Sequence, residues 1–154
     1  MSFDDHVRHL GGLIAYFQSL EFVLRAFLQK SASARPFGMS AGADIYSYPV
    51  GADLPENEFT SFDSLGQLID KYNNEVEKLG LQPIDKTLVE IRDALAHGRV
   101  SAALPDDNLR LLKFSKPANG RVRVVFNETL SSAWFTGQKK RVSDAMLSVH
   151  RNLV

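Results

Sequence analysis

From about Asp4 to Lys30 the apolar residues recur at steps of three and four, through Val7, Leu10, Ile14, Phe17, Leu24 and Leu28. That is the repeat of a helix burying one stripe. Leu13, Leu20, Val23 and Phe27 widen the stripe, which places this first helix in the core, packed against more than one neighbour, with Gly11 and Gly12 permitting close approach. The pattern dissolves into Ser, Ala, Gly and Pro from Ser31 to Glu58, read as a long surface loop with at most a short strand around Ile45 to Val50. Thr60 followed by Asp63 resembles a capping box, and Phe62, Leu65, Ile69, Tyr72, Val76 and Leu79 then repeat with helical period up to Gly80. A third helix opens at Pro83 or Asp85, carries Ile84, Leu88, Ile91 and Leu95 on one face, and stops at Gly98. Leu109 to Phe114 and Arg121 to Phe126 are β-prone runs whose connection ends in Asn119-Gly120, a hairpin signal. Val142, Ala145, Met146, Val149 and Leu153 mark a final helix that begins between Ser131 and Lys139.

These elements predict a mainly α protein, about four helices with a β-hairpin inserted before the last. A length of 154 residues with 44% hydrophobic content suits one domain over 1–154, able to bury a core without metal or disulfide staples. The 18 basic and 18 acidic side chains cancel, so no overall positive field draws nucleic acid or a membrane surface, and only a local patch is left to do so. Cysteine is absent, which excludes disulfides, thiolate metal sites and a cysteine nucleophile. The N-terminus, MSFDDHVRHLGGL, lacks the basic patch and continuous apolar run of a secretory signal, and no uncharged apolar stretch approaches the ~20 residues of a membrane span. The expectation is a soluble, cytoplasmic protein with no membrane partner.

Glu21 interrupts the first helix's stripe where an apolar side chain is expected, so it is at least partly buried and needs a cation or several donors. Arg92 is a candidate partner, since it lies roughly 70° from the centre of the third helix's apolar face, at an edge from which a long side chain reaches inward or along the surface. His97 follows five positions later, about 140° away on an ideal helix. Unwinding before Gly98, or a twofold dimer, would bring the two together. Asp93, one turn before His97, stands nearer to its face and is placed to orient the imidazole. Val89, Arg92 and Ala96 form a strip able to accept a partner helix, either in a dimer or from the same chain.

The run Ile91-Arg92-Asp93-Ala94-Leu95-Ala96-His97-Gly98 resembles the signature of the HEPN family: arginine, a polar residue, three more, then histidine, late in a helix of a helical bundle. The resemblance covers the helical part of the chain, and the hairpin at Leu109 to Phe126 looks like an addition. In many HEPN proteins two copies of the motif face each other across a homodimer and form a metal-independent ribonuclease site. The resemblance therefore implies Arg92 on the scissile phosphate, His97 in proton transfer, RNA as substrate, no cofactor or metal, and 2′,3′-cyclic phosphate product ends. The chemistry is apt, since a histidine can take a proton from a ribose 2′-hydroxyl and arginine's planar fork stabilises added phosphate charge. Asp93 and Glu21 take supporting roles. Many HEPN nucleases belong to toxin–antitoxin or defence systems, which implies an antitoxin-type protein partner. Asp93 stands where the commonest pattern has asparagine, adding a negative charge beside an incoming phosphate. Some HEPN domains are non-catalytic nucleotide-binding or protein-interaction modules, and that is the alternative reading.

Lys139, Lys140 and Arg141, with Lys113, Lys116, Arg121 and Arg123, compose a basic face suited to RNA phosphates or to plain solvation. Trp134 and Phe135 supply either a stacking platform for a base or core. His6 and His9 have a spacing that metal ligands can use, but read more simply as a solvated helix end, as does His150. No Walker glycine loop, Gly-x-Ser-x-Gly elbow or His-Glu-x-x-His pair is present.

Overall fold

A computed structural model describes residues 2–33, 47–102 and 108–153. Among the described residues seven elements follow one another: α1 (Phe3–Ser33), α2 (Leu65–Lys78), α3 (Leu88–His97), β1 (Arg99–Ser101), β2 (Arg110–Phe114), β3 (Val124–Thr129) and α4 (Ser132–Leu153). The protein is mainly helical, with a small antiparallel sheet before the last helix. Among the described residues no helix is long and apolar enough to cross a membrane. Two compact units divide the chain, residues 1–17 with 86–143 and residues 18–85 with 144–154. The long helices α1 and α4 contribute to both.

In the second unit, Leu20, Leu24, Phe27, Leu65, Leu68, Ile69, Tyr72, Val76 and Val149 are buried. The Phe27 ring meets Tyr72 edge-on at 4.9 Å, and Asn152 donates a 2.7 Å hydrogen bond to the Tyr72 hydroxyl, so this large buried ring keeps its polar end satisfied. The cap of α2 is Ser64, not the expected Thr60. Its side chain accepts from the Gln67 N–H while Gln67 accepts from the Ser64 N–H. The physical reason lies on α1, where Arg25 donates to the carbonyls of Ser61 and Asp63 at 2.8 Å each and holds that strip of backbone outside the helix. Asp63 binds Lys71 at 2.8 Å, and Phe62 is fully exposed. Asn73 similarly delays α3: its side-chain amide accepts from the Ile84 N–H at 2.9 Å and donates to the Ile84 carbonyl at 3.0 Å. Ile84 is therefore buried but not helical, and α3 starts at Leu88 rather than at Pro83 or Asp85.

In the first unit, Leu13, Leu88, Ile91, Ala94, Leu111, Leu130, Phe135 and Val142 are buried. The sheet has the order β1-β2-β3, with Arg99 opposite Leu112 and Leu112 opposite Asn127. The hairpin turn is the expected one, since Asn119 (φ 52°) and Gly120 (φ 71°) both take the left-handed backbone that the Asn-Gly pair favours. β3 begins at Val124 rather than at Arg121, and within it a register shift opposite Lys113 and Phe114 leaves Val125 as an extra residue. No pattern in the sequence announces β1. The strand expected around Ile45 to Val50 is absent from residues 47–50, and Ile45 lies outside the described residues.

Phe17, Leu24 and Leu28 of the stripe expected on α1 are buried, as are Leu13, Leu20 and Phe27, which widen it. Val7 (51% exposed) and Ile14 (41%) face outward, while His6, Leu13, Leu20 and Phe27, each seven residues apart, are buried. Glu21 continues the outward row of Val7 and Ile14 and is half-buried.

Gly98 ends α3 with extended backbone (φ −77°, ψ 174°), so no left-handed conformation demands glycine there. The demand is space. A Cβ at position 98 would collide with the Ala94 carbonyl, lie 2.6 Å from Leu111 Cδ1 and 3.0 Å from the Leu112 carbonyl. Gly98→Ala should cost about 1–3 kcal/mol of unfolding free energy through overpacking. Gly11→Ala, on an open face of α1 with nothing within 4 Å, should gain about 0.5–1 kcal/mol from reduced chain entropy. Urea titrations of both variants check the pair; equal effects would contradict this assignment of the two glycines.

Candidate functional site

The last turn of α3 runs straight into β1 through Gly98, and β1 pairs with β2. Leu111 of β2 packs beside Gly98, and Lys113, two residues on and on the same side of the strand, reaches back toward α3. The Asp93 carboxylate lies between two cations, with Arg92 Nη1 at 3.6 Å and Lys113 Nζ at 3.7 Å. The Arg92 and Asp93 side chains are each 39% exposed, and Lys113 is 25% exposed. His97 is exposed at the end of the helix. The arrangement therefore offers solvent a histidine and an arginine on neighbouring turns, with a lysine from the sheet added to them. The sequence groups Lys113 only with the general basic face; its place opposite Asp93 depends on the register of β2, which no local pattern reveals. On the other side of β2, the Arg99 guanidinium sits 5.3 Å above the Phe114 ring, and Arg110 donates to Asn127 Oδ1 at 2.7 Å.

Arg92, Asp93 and His97 all belong to the first unit, whereas Glu21 belongs to the second. The three α4 cations expected to meet RNA do not form one open face. Lys139 lies along α1, its Nζ 2.8 Å from the place a Cβ on Gly12 would occupy. Arg141 donates to Gln138 Oε1 at 2.9 Å and to Thr87 Oγ1 at 2.5 Å. Lys140 is exposed.

Phe135 is fully buried and so cannot stack on a base. Around it stand Trp134 edge-on at 5.1 Å, His6 edge-on at 5.7 Å and His9 stacked at 5.4 Å. His6 is thus not at a solvated helix end; it is 4% exposed, and its Nδ1 has no hydrogen-bond partner among the described residues. The seven-residue row through Leu13, Leu20 and Phe27 is the signal that could have located it. Among the described residues, no group of three or more histidine or carboxylate side chains is gathered as metal ligands would be.

Burial, with a smaller repulsion from His9, holds the His6 pKa below its ordinary 6.5. The unfolded chain therefore binds this proton more readily than the folded one. The stability linked to His6 is fully present above pH 6.5 and is lost as the pH falls from there through the lower, folded-state value. Denaturant midpoints measured across that window should fall with pH, and His6→Gln should flatten the dependence; an unchanged slope in the variant would contradict the burial of a neutral His6.

No family model matches the chain, and no curated protein or solved structure matches it significantly.

Proposed function

We propose that the protein is a HEPN-like, metal-independent endoribonuclease that acts as a homodimer. The observation that carries this reading is the accessibility of both motif side chains: His97 is exposed, and more than a third of the Arg92 side chain reaches solvent. Residues that served only packing would have little reason to stand open at a helix end.

In the proposed reaction His97 takes the proton from a ribose 2′-hydroxyl, and the 2′-oxygen attacks the adjacent phosphorus. The bond to the 5′-oxygen breaks, that oxygen takes up the proton that His97 has accepted, and the products are a 2′,3′-cyclic phosphate and a 5′-hydroxyl. Arg92 stabilises the negative charge that builds on the phosphoryl oxygens, with Lys113 as a second cation nearby. Asp93 keeps these two cations in place before RNA arrives, and the incoming phosphate competes with it for them. A second copy supplies the facing motif. The outward row of Phe3, Val7 and Ile14 on α1 supports self-association, because solvated apolar rows of this kind favour coverage. A toxin or defence role with an antitoxin-type partner belongs to the same reading.

The second reading, a non-catalytic module binding a nucleotide or a protein, is favoured by the Arg92–Asp93–Lys113 ion cluster, which has a purely structural use. Activity separates the two. Purified protein should cleave a mixed RNA pool in EDTA and leave cyclic-phosphate ends, while His97→Ala and Arg92→Ala should each slow cleavage about 10²- to 10⁴-fold. A folded dimer that cuts nothing, or variants that cut as fast as the parent, would sink the nuclease reading.

A further inference from the structure

The charge of the hairpin departs from that of the chain. Residues 108–129 carry Arg110, Lys113, Lys116, Arg121 and Arg123 against the single carboxylate of Glu128, a net +4 within a protein whose total is zero. The structure sorts these cations. Lys113 is engaged with Asp93 and Arg110 with Asn127. Lys116, Arg121 and Arg123 are exposed, and among the described residues their side chains make no hydrogen bond or ion pair. Arg121 and Arg123 line one hollow at the hairpin's end together with Ser115 and Asn119.

The backbone holds this end rigidly. Ala118 and Arg121 exchange hydrogen bonds of 2.9 and 3.0 Å across the Asn-Gly turn, Ser115 N–H donates to the Arg123 carbonyl at 2.8 Å, and Arg123 N–H donates to Ser115 Oγ at 3.0 Å. Like charges held together repel, and a bound polyanion relieves that repulsion while releasing its own counterions.

We propose that this hairpin end binds the phosphate backbone of single-stranded nucleic acid, at a site separate from the Arg92–His97 motif and independent of whether that motif cuts. Two arginines two positions apart on an extended segment, about 6.6 Å between them, are spaced comparably to neighbouring phosphates of one strand. Base identity is not read. Phe114 lies half-buried beneath Arg99 and Phe126 is half-buried, so neither ring is an open stacking platform, and exposed Val122, Val124 and Val125 offer only aliphatic contact. The sheet site thereby takes the role that the sequence suggests for Arg141, which is engaged with Gln138 and Thr87.

The test uses a short labelled oligothymidylate, which lacks the 2′-hydroxyl and so reports binding without cleavage. Fluorescence anisotropy should show affinity that falls with salt. The Lys116→Ala, Arg121→Ala, Arg123→Ala triple variant should lower the slope of log affinity against log salt by about 2, roughly 0.7 for each phosphate no longer neutralised. It should also bind at least tenfold more weakly at low salt, and Arg121→Lys with Arg123→Lys should recover most of the affinity. Circular dichroism checks that each variant is folded. Binding by the parent that is absent, or a folded triple variant with unchanged affinity and slope, would overturn the proposal. So would polyglutamate of matched charge displacing the DNA at equal concentration, since recognition would then be of an acidic peptide and not of phosphate.

Discussion

The contact on which the first unit depends is between main chains. The end of α3 approaches β2 so closely that position 98 has room for a hydrogen atom and no more, with the Ala94 carbonyl on one side and Leu111 and the Leu112 carbonyl on the other. The Gly98 N–H closes the helix on Ala94 at 2.7 Å, and the next residue already pairs with β2. This fixes His97 at the junction of helix and sheet, and the same register of β2 brings Lys113 to Asp93. Two buried neighbours, Leu111 and Ala94, anchor the junction, and burying a leucine side chain contributes roughly 1.5–3 kcal/mol. The chemistry proposed for the motif therefore rests on a packing constraint imposed by the residue that follows it.

Charge is arranged around that junction rather than spread evenly. Asp93 balances Arg92 at 3.6 Å and Lys113 at 3.7 Å, a partly solvated geometry in which each pair contributes about 1 kcal/mol or less. Such weak pairing orders the cations without locking them, which suits the proposed exchange of the carboxylate for a phosphate. Farther along the same hairpin, among the described residues, the cations have no carboxylate to balance them. A chain with no net charge can still present a local positive surface when its acidic residues lie elsewhere.

Much of this is legible in the sequence, and the exceptions have physical causes. The helical periods locate four helices, and Asn119-Gly120 locates the turn, because both signals are local. Only the N-terminal part of the α1 stripe departs from expectation, Val7 and Ile14 facing outward, because two apolar rows lie side by side there and periodicity alone does not decide which faces inward; His6, an untypical core residue, heads the buried row. The start of α2 escapes because Arg25, far away in sequence, takes the carbonyls of Ser61 and Asp63, and the start of α3 because Asn73 takes both backbone groups of Ile84. Tertiary hydrogen bonds keep both segments out of the helix, and α2 starts instead at the local capping box of Ser64 with Gln67. β1 has three exposed residues and no alternation of its own, so only pairing defines it. Around the candidate site, the helix that carries Arg92, Asp93 and His97 is legible from its period, whereas the place of Lys113, joined to Asp93 only through strand register, is not.

That RNA meets Arg92 and His97 at the end of α3 is tested most directly by NMR of the histidine ring and arginine side-chain signals while RNA made uncleavable by 2′-O-methylation is added. The His97 and Arg92 signals should shift together and saturably, while buried His6 stays unmoved. Shifts confined to other residues, with His97 and Arg92 unchanged at saturation, would contradict it.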